Sequence, residues 1–315
     1  MLALRYRTKL LVVRTNGKRG LVLVYNPGSS ATEPVAWRIF ESLVLDACWI
    51  SDDKFVVCGD NGLVEAYRVL PDSSLPVSGF TAATISNWCL ENLDWRPPKA
   101  AKWDKVRYDE AAEAAGAVVF ASTEERRLIM HPGAAGVHGG DWASTDMPGQ
   151  LTALAFRSRS LTLIDYGSPP VLAATFEDGA CVLYALQRSH ENGWSHSIDC
   201  LTTMHTSSGP ALALAWTPDG SHLAVGGTEL INIWEKGSLV QHNPDTRLLE
   251  QKPDSQLQPL VTWRPDSSAI GTRNGEHESE TPLTEPSLSW SSDGESLAFA
   301  VDKQVHLSPR YSDTG

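Results

Sequence analysis

A tryptophan that closes a short apolar segment and is followed at once by an aspartate turn recurs four times in this chain. Leu45-Asp46-Ala47-Cys48-Trp49 runs into Ile50-Ser51-Asp52-Asp53, and Leu212-Ala213-Leu214-Ala215-Trp216 runs into Thr217-Pro218-Asp219-Gly220. Leu260-Val261-Thr262-Trp263 runs into Arg264-Pro265-Asp266-Ser267, and Ser287-Leu288-Ser289-Trp290 into Ser291-Ser292-Asp293-Gly294. A fifth, partial copy is Leu93-Asp94-Trp95-Arg96-Pro97. Alternation of apolar and small residues marks a strand, and Pro, Ser, Asp and Gly reverse it. A second strand then follows: Phe55-Val56-Val57-Cys58, Leu223-Ala224-Val225-Gly226 or Leu297-Ala298-Phe299-Ala300. A further tight turn, Asp60-Asn61-Gly62 or Thr228-Glu229, leads to a third strand ending in an aromatic residue, Tyr67 or Trp234. In both copies the first and last aromatic residues stand 18 positions apart. A repeat of this kind predicts a stack of small antiparallel sheets and governs the whole fold.

The segment Ala211–Glu235, ALALAWTPDGSHLAVGGTELINIWE, resembles one WD repeat, and the chain is similar to the WD-repeat β-propeller family. The resemblance implies an all-β propeller built from four-stranded blades of about 40–45 residues. The family's closing Trp-Asp dipeptide stands here as Trp234-Glu235. Of the family's hydrogen-bonded tetrad, His205 and Trp234 are in place, whereas Val225 occupies the hydroxyl position and Glu229 that of the turn aspartate. Apolar packing, not a polar network, is therefore expected to hold this blade.

On this reading residues 1–315 form a single propeller domain with an insertion at 97–116 and a polar loop at 274–286. Seven blade starts are expected, five to six of them complete. They fall at Lys9–Arg14, Val44, Leu90–Trp95, Leu151–Phe156, Ala211–Trp216, Leu260–Trp263 and Leu288–Trp290. The sixth and seventh are short: Trp263 and Trp290 are only 27 residues apart, against 47 from Trp216 to Trp263. The N-terminal segment Leu2–Arg7 is expected to supply a strand that the last blade lacks.

The chain has 26 basic and 38 acidic residues, a net charge of −12. Such a balance disfavours a free-standing nucleic-acid binder. The five cysteines, Cys48, Cys58, Cys89, Cys181 and Cys200, have no metal-knuckle or redox spacing and are expected to be reduced, strand-borne and buried. Three cations within the first nine residues occupy the place where a signal peptide needs its apolar run. No stretch approaches the roughly 18 apolar residues of a membrane span. An intracellular location is expected, with no membrane contact.

Motifs for catalysis are missing from the sequence: no nucleophile elbow, no P-loop, no dinucleotide glycine fingerprint and no zinc-protease helix. No catalytic, cofactor or metal residue is assigned. His190 and His196 lack ligand partners at the right spacing, and the glycine-rich run 131–140 precedes no helix. The repeat spacing places Trp49, Trp216, Trp263 and Trp290 in the core.

Trp103 is outside the repeat, in the segment Pro97–Tyr108, which gathers four cations and two aromatic residues in an acidic protein. Asp109–Ala115 reads as a short helix, and Arg126 and Arg127 follow on the neighbouring hairpin. Loops on a rigid scaffold often carry function, and Trp, Tyr and Arg are common interface anchors. Lys102, Trp103, Lys105, Arg107, Tyr108, Arg126 and Arg127 are therefore the candidate partner-binding residues, with Trp103 tucked under its own blade as the competing reading. The expected function is a non-catalytic scaffold for protein partners in a multi-subunit assembly. Two alternatives are a chromatin- or nucleic-acid-associated subunit using residues 97–108, with salt-sensitive binding, and an enzyme-associated propeller.

Overall fold

A computed structural model of the 315-residue chain describes residues 2–6, 9–26, 34–70, 90–93, 95, 97–108, 117–132, 142–157, 170–189, 195–206, 209–227, 230–242, 249–251, 257–264, 286–301 and 304–308. They fall into two units, residues 1–147 with 190–196, and residues 148–189 with 197–315. Among the described residues the chain is all-β: six antiparallel sheets of three or four strands, one two-stranded ribbon and one helical turn at Lys236–Leu239.

In the first unit, β1 (Leu2–Tyr6), β2 (Lys9–Asn16), β3 (Arg19–Tyr25) and β4 (Ala36–Phe40) form sheet one in that order. Sheet two is β5 (Val44–Trp49), β6 (Lys54–Gly59), β7 (Val64–Val69) and β8 (Leu90–Asn92). Sheet three is β9 (Lys105–Tyr108), β10 (Ala117–Ser122), β11 (Arg127–Pro132) and β12 (Ala143–Asp146). In the second unit, sheet four is β13 (Leu151–Phe156), β14 (Val171–Phe176), β15 (Ala180–Ser189) and β16 (Ser195–His205). Sheet five is β17 (Ala213–Trp216), β18 (His222–Gly226), β19 (Ile231–Glu235) and, beyond the ribbon β20 (Val240–His242) and β21 (Leu249–Gln251), β22 (Val261–Trp263). Sheet six has three strands, β23 (Ser287–Trp290), β24 (Leu297–Val301) and β25 (Gln304–Leu307).

This register corrects the expected boundaries. Leu90–Asn92 opens no new sheet; it is the outer strand of sheet two, with Asn92 opposite Tyr67. Sheet three starts instead at β9, inside the segment read as an insertion. Val261–Trp263 likewise closes sheet five, with Trp263 opposite Ile231. The described residues thus hold six sheets, not seven starts, and the short spacing before Trp290 is that between an outer strand and the next inner one. Leu2–Tyr6 pairs with β2 in sheet one, Leu2 opposite Val13. The helix expected at Asp109–Ala115 and most of the polar loop 274–286 lie outside the described residues.

Consecutive sheets within each unit pack face to face, which explains why the second strands read as unbroken apolar runs. In β6, Phe55 and Val57 join Leu11, Val13, Val22 and Val24 of sheet one, while Val56 and Cys58 join Val118, Phe120 and Ile129 of sheet three. The same division recurs in β18, where Leu223 and Val225 pack with sheet four and Ala224 with Leu297 and Phe299 of sheet six. The 18-residue aromatic spacing is the width of this pairing. Trp49, Phe55 and Tyr67 lie in one row across three strands, as do Trp216, Leu223 and Trp234. The ring centroids of Phe55 stand 5.6 Å from those of both Trp49 and Tyr67. Trp49, Trp216 and Trp234 are buried, whereas Trp263 and Trp290 are half-buried against the cluster between sheets five and six. The indole Nε1 of Trp234 is buried without a hydrogen-bond partner among the described residues, in keeping with the degraded tetrad.

The repeated turn has one mechanism in all three copies that are described. Ser51 Oγ donates to Asp53 (2.7 Å), Thr217 Oγ1 to Asp219 (2.7 Å) and Ser291 Oγ to Asp293. The same hydroxyls accept the N–H of Lys54, His222 and Ser296. Gly220 and Gly294 supply left-handed backbone, at φ +68° and +74°. Partial burial pushes the Asp219 carboxyl up, but hydrogen bonds from Thr217 and Ser221 outweigh it and hold the group below its ordinary value. A carboxyl lowered in the folded state contributes stability above its unfolded pKa and loses it as pH falls through the folded value. Asp219→Ala is expected to cost about 1–2 kcal/mol at neutral pH. That penalty shrinks below about pH 4, which denaturant titrations at several pH values will read.

In sheet six the strand β25 has the register of β19: Val305 corresponds to Ile231 and Leu307 to Ile233. Ile231 and Ile233 are 0% and 3% exposed, whereas Val305 and Leu307 are 68% and 72% exposed. Sheet five has both a fourth strand and a following sheet on that face. Sheet six has no fourth strand among the described residues.

Candidate partner-binding surface

The candidate residues sit where β9, the loop before it and the β10–β11 turn meet. Loop 97–104 is pinned to sheet two through its backbone. Gly62 N–H donates to the Ala101 carbonyl (2.9 Å) and Trp103 N–H to that of Gly59 (3.1 Å). Asp60 and Lys102 form an antiparallel bridge. Gly62 has φ +67°, and a Cβ there would stand 2.6 Å from the Ala100 oxygen, so the loop's close approach requires glycine. On the other side Asp104 N–H donates to the Ala121 carbonyl (3.0 Å), and the Asp104 carboxylate accepts the Thr123 hydroxyl (2.9 Å). Ala101 N–H donates to Glu125 Oε1 (2.6 Å), and Arg127 Nη1 reaches the Lys99 carbonyl at 3.5 Å. Loop and turn form one cross-linked unit.

These contacts sort the seven candidates. Trp103 is fully buried between sheets two and three, its ring 6.3 Å from that of Phe120, so it is core and not a surface anchor. Tyr108 is half-buried against the same cluster, opposite Val118. Arg107 is committed inward: its Nη1 donates to Asp46 Oδ2 at 2.6 Å and to the Val106 carbonyl at 2.6 Å. Lys105 is a half-buried strand residue opposite Ala121. Lys102 is half-buried in the loop, Arg126 is exposed at the turn, and Arg127 is half-buried at the start of β11.

Two residues were not among the sequence candidates. Asp46, buried on β5, accepts from Ala47 N–H (2.9 Å), Val106 N–H (3.0 Å) and Arg107, and so joins sheet two to sheet three. Its position follows an irregularity in the β5–β6 register, and Thr152 lies within the matching irregularity of β13, between Leu151 and Ala153. The Thr152 hydroxyl lies 2.9 Å from that of Thr175 and donates to the Ala211 carbonyl, which leads into sheet five. An isolated aspartate in the apolar segment Leu45–Trp49 is the one sequence signal for this role. The second is Lys99, exposed at the head of the loop.

The platform therefore carries Lys99, Lys102, Lys105, Arg107, Arg126 and Arg127 against Asp104, Glu124 and Glu125, in a chain of net charge −12. Ser221 Oγ lies 2.8 Å from His222 Nδ1, but Asp219 accepts from the serine, so this trio closes a turn. Cys48, Cys58, Cys181 and Cys200 are free thiols on strands; Cys58 and Cys181 are buried, with burial pushing both thiols up, while Cys48 is half-buried and Cys200 exposed. Among the described residues no group of three potential ligands could hold a metal, and no helix is long and apolar enough to cross a membrane.

No family model and no curated protein matches the chain. The crystal structure of Saccharomyces cerevisiae Sqt1 is similar at a TM-score of 0.57 and 11% identity, over 96% of this chain and 69% of that one. Sqt1 is a WD40 protein. The likeness is one of fold: small antiparallel sheets in sequence order, of the β-propeller type. In a propeller the strand turns and loops ride on sheets held by apolar packing, and here the platform is mounted on β10 and β11. The side chains of β10 from Ala117 to Ser122, like Leu128, Ile129 and Met130 of β11, are all buried.

Proposed function

We propose that this chain is a non-catalytic, propeller-type scaffold that joins protein partners within a larger intracellular assembly. The observation that supports the reading is the cationic loop–turn platform: exposed side chains on a backbone cross-linked to two sheets, Lys99 and Arg126 foremost. Rigid presentation lowers the ordering cost of binding. The fold type agrees with this role, although folds host many functions and the site must carry the argument.

Affinity purification of the intact chain from its native cell, with quantitative mass spectrometry, tests this reading. A reproducible stoichiometric set of proteins is expected with the wild type. The Lys99→Glu/Lys102→Glu variant is expected to lose at least one member by about tenfold while melting within a few degrees of the wild type, since Lys99 is exposed and Lys102 no more than half-buried. Recovery of the chain alone would overturn the scaffold.

A further inference from the structure

We infer that the platform of Lys99, Lys102 and Arg126 is a binding site for an acidic peptide segment of a partner protein; the inference rests on the scaffold reading and names the chemistry of one partner.

The first support is conformational. Arg126 has φ +49°, in the left-handed region that a residue with a Cβ rarely adopts. Among the described residues the one other non-glycine with positive φ is Asn61, whose short amide suits that region and which precedes Gly62 in a tight turn. A glycine at position 126 would close the β10–β11 turn with less strain. What arginine adds there is an exposed guanidinium. Its backbone is used, N–H to the Thr123 carbonyl and carbonyl to Met147 N–H, but its side chain makes no hydrogen bond or ion pair among the described residues. Strain kept at a position whose side chain does nothing for the fold points to a use outside it.

The second support is placement. Lys99 and Lys102 are borne by the loop segment that Glu125 and Arg127 bind, so both lie on the backbone held beside the turn that carries Arg126. Neither lysine forms an ion pair among the described residues. Arginine offers a fork matched to a carboxylate, and the lysines offer point charges beside it.

The third support concerns the class of anion. Asp104, Glu124 and Glu125 interrupt the cations, and the chain as a whole carries −12. A long polyanion such as a nucleic-acid backbone meets these carboxylates and the wider repulsive field. A short segment with separated carboxylates feels chiefly the local charges, because salt screens beyond about 8 Å at physiological ionic strength. Burial of Trp103 also removes the aromatic side chain on which a base would stack.

The test is fluorescence anisotropy with the full chain and three labelled probes: the peptide Gly-Glu-Ala-Glu-Ala-Glu-Gly, the same peptide with glutamine for glutamate, and a 20-base single-stranded oligonucleotide. The acidic peptide is expected to bind, the glutamine peptide to bind at least about tenfold more weakly, and the oligonucleotide to bind more weakly than the acidic peptide. Arg126→Gly and Lys102→Gln are each expected to weaken the acidic peptide by about tenfold. Arg126→Gly is further expected to melt at or above the wild-type temperature, by about 2 °C, because it relieves the left-handed arginine. A merely structural Arg126 would not separate affinity from stability in this way. Equal binding of both peptides, tighter binding of the oligonucleotide, or unchanged affinity in Arg126→Gly would overturn the site. If the acidic peptide fails while the purified chain still brings down its protein set, the scaffold stands and the acidic-peptide site falls.

Discussion

Replacing Trp103 by alanine is expected to lower the unfolding free energy by about 3–5 kcal/mol, the range for emptying a large buried aromatic site. Its side chain is fully buried among Val56, Cys58, Val106, Phe120 and Ile129, at the seam between two sheets. The space cannot readily collapse, because β6, β10 and β11, which carry most of its walls, are each paired on both edges. Trp103→Phe fills much of the volume and is expected to cost about 1–2 kcal/mol. Denaturant unfolding of the three proteins measures this. The outcome is diagnostic: a partner-binding tryptophan on the surface would leave the unfolding midpoint unchanged and weaken only binding.

The second large effect is expected at Asp46. Its carboxylate accepts three donors, two of them from sheet three, and is itself buried. Asp46→Ala leaves the Val106 N–H without its acceptor inside the protein and the Arg107 guanidinium without its counter-charge. A cost of about 2–4 kcal/mol is expected. Part of the Arg107 share is discounted because its side chain is 38% exposed and finds water. The pair also predicts strong coupling: Arg107→Met alone is expected to be milder, and the double variant less unstable than the sum of the two, by about 1 kcal/mol or more. Additive losses in equilibrium unfolding would mean that Asp46 acts through the Val106 amide alone. The same pair bears on function, since an Arg107 committed to Asp46 is not free to meet a partner.

Much of the fold was legible because its signals are short. The Ser/Thr-x-Asp turn is complete within about five residues, and its hydrogen bonds recur at Ser51, Thr217 and Ser291 as the repeat implied. The 18-residue aromatic spacing spans only three adjacent antiparallel strands, so counting along the chain was enough to place Trp216 and Trp234 in one row. Outer strands defeated the same method. Leu90–Asn92 and Val261–Trp263 carry an apolar pattern near a tryptophan much like that of an inner strand, and each pairs with a strand more than 20 residues earlier. Nothing local separates the strand that ends one sheet from the strand that begins the next.

The candidate site divides in the same way. That residues 97–108 and the turn at Arg126–Arg127 are neighbours of interest was readable, because a cation excess in the first and an Arg-Arg pair in the second show in the sequence. Which of those side chains reach solvent was decided by what lies opposite them. Trp103 finds a hole between two sheets, and Arg107 finds a carboxylate 61 residues away, whereas Lys99 and Arg126 find water. The sequence by itself determined turns, strand period and the aromatic rows, since these depend on the preferences of a few adjacent residues. The tertiary structure alone decided sheet membership, the buried Asp46–Arg107 link and the platform's exposed face. Burial and charge pairing are set by the neighbour across the gap, and that neighbour is brought there by the whole chain.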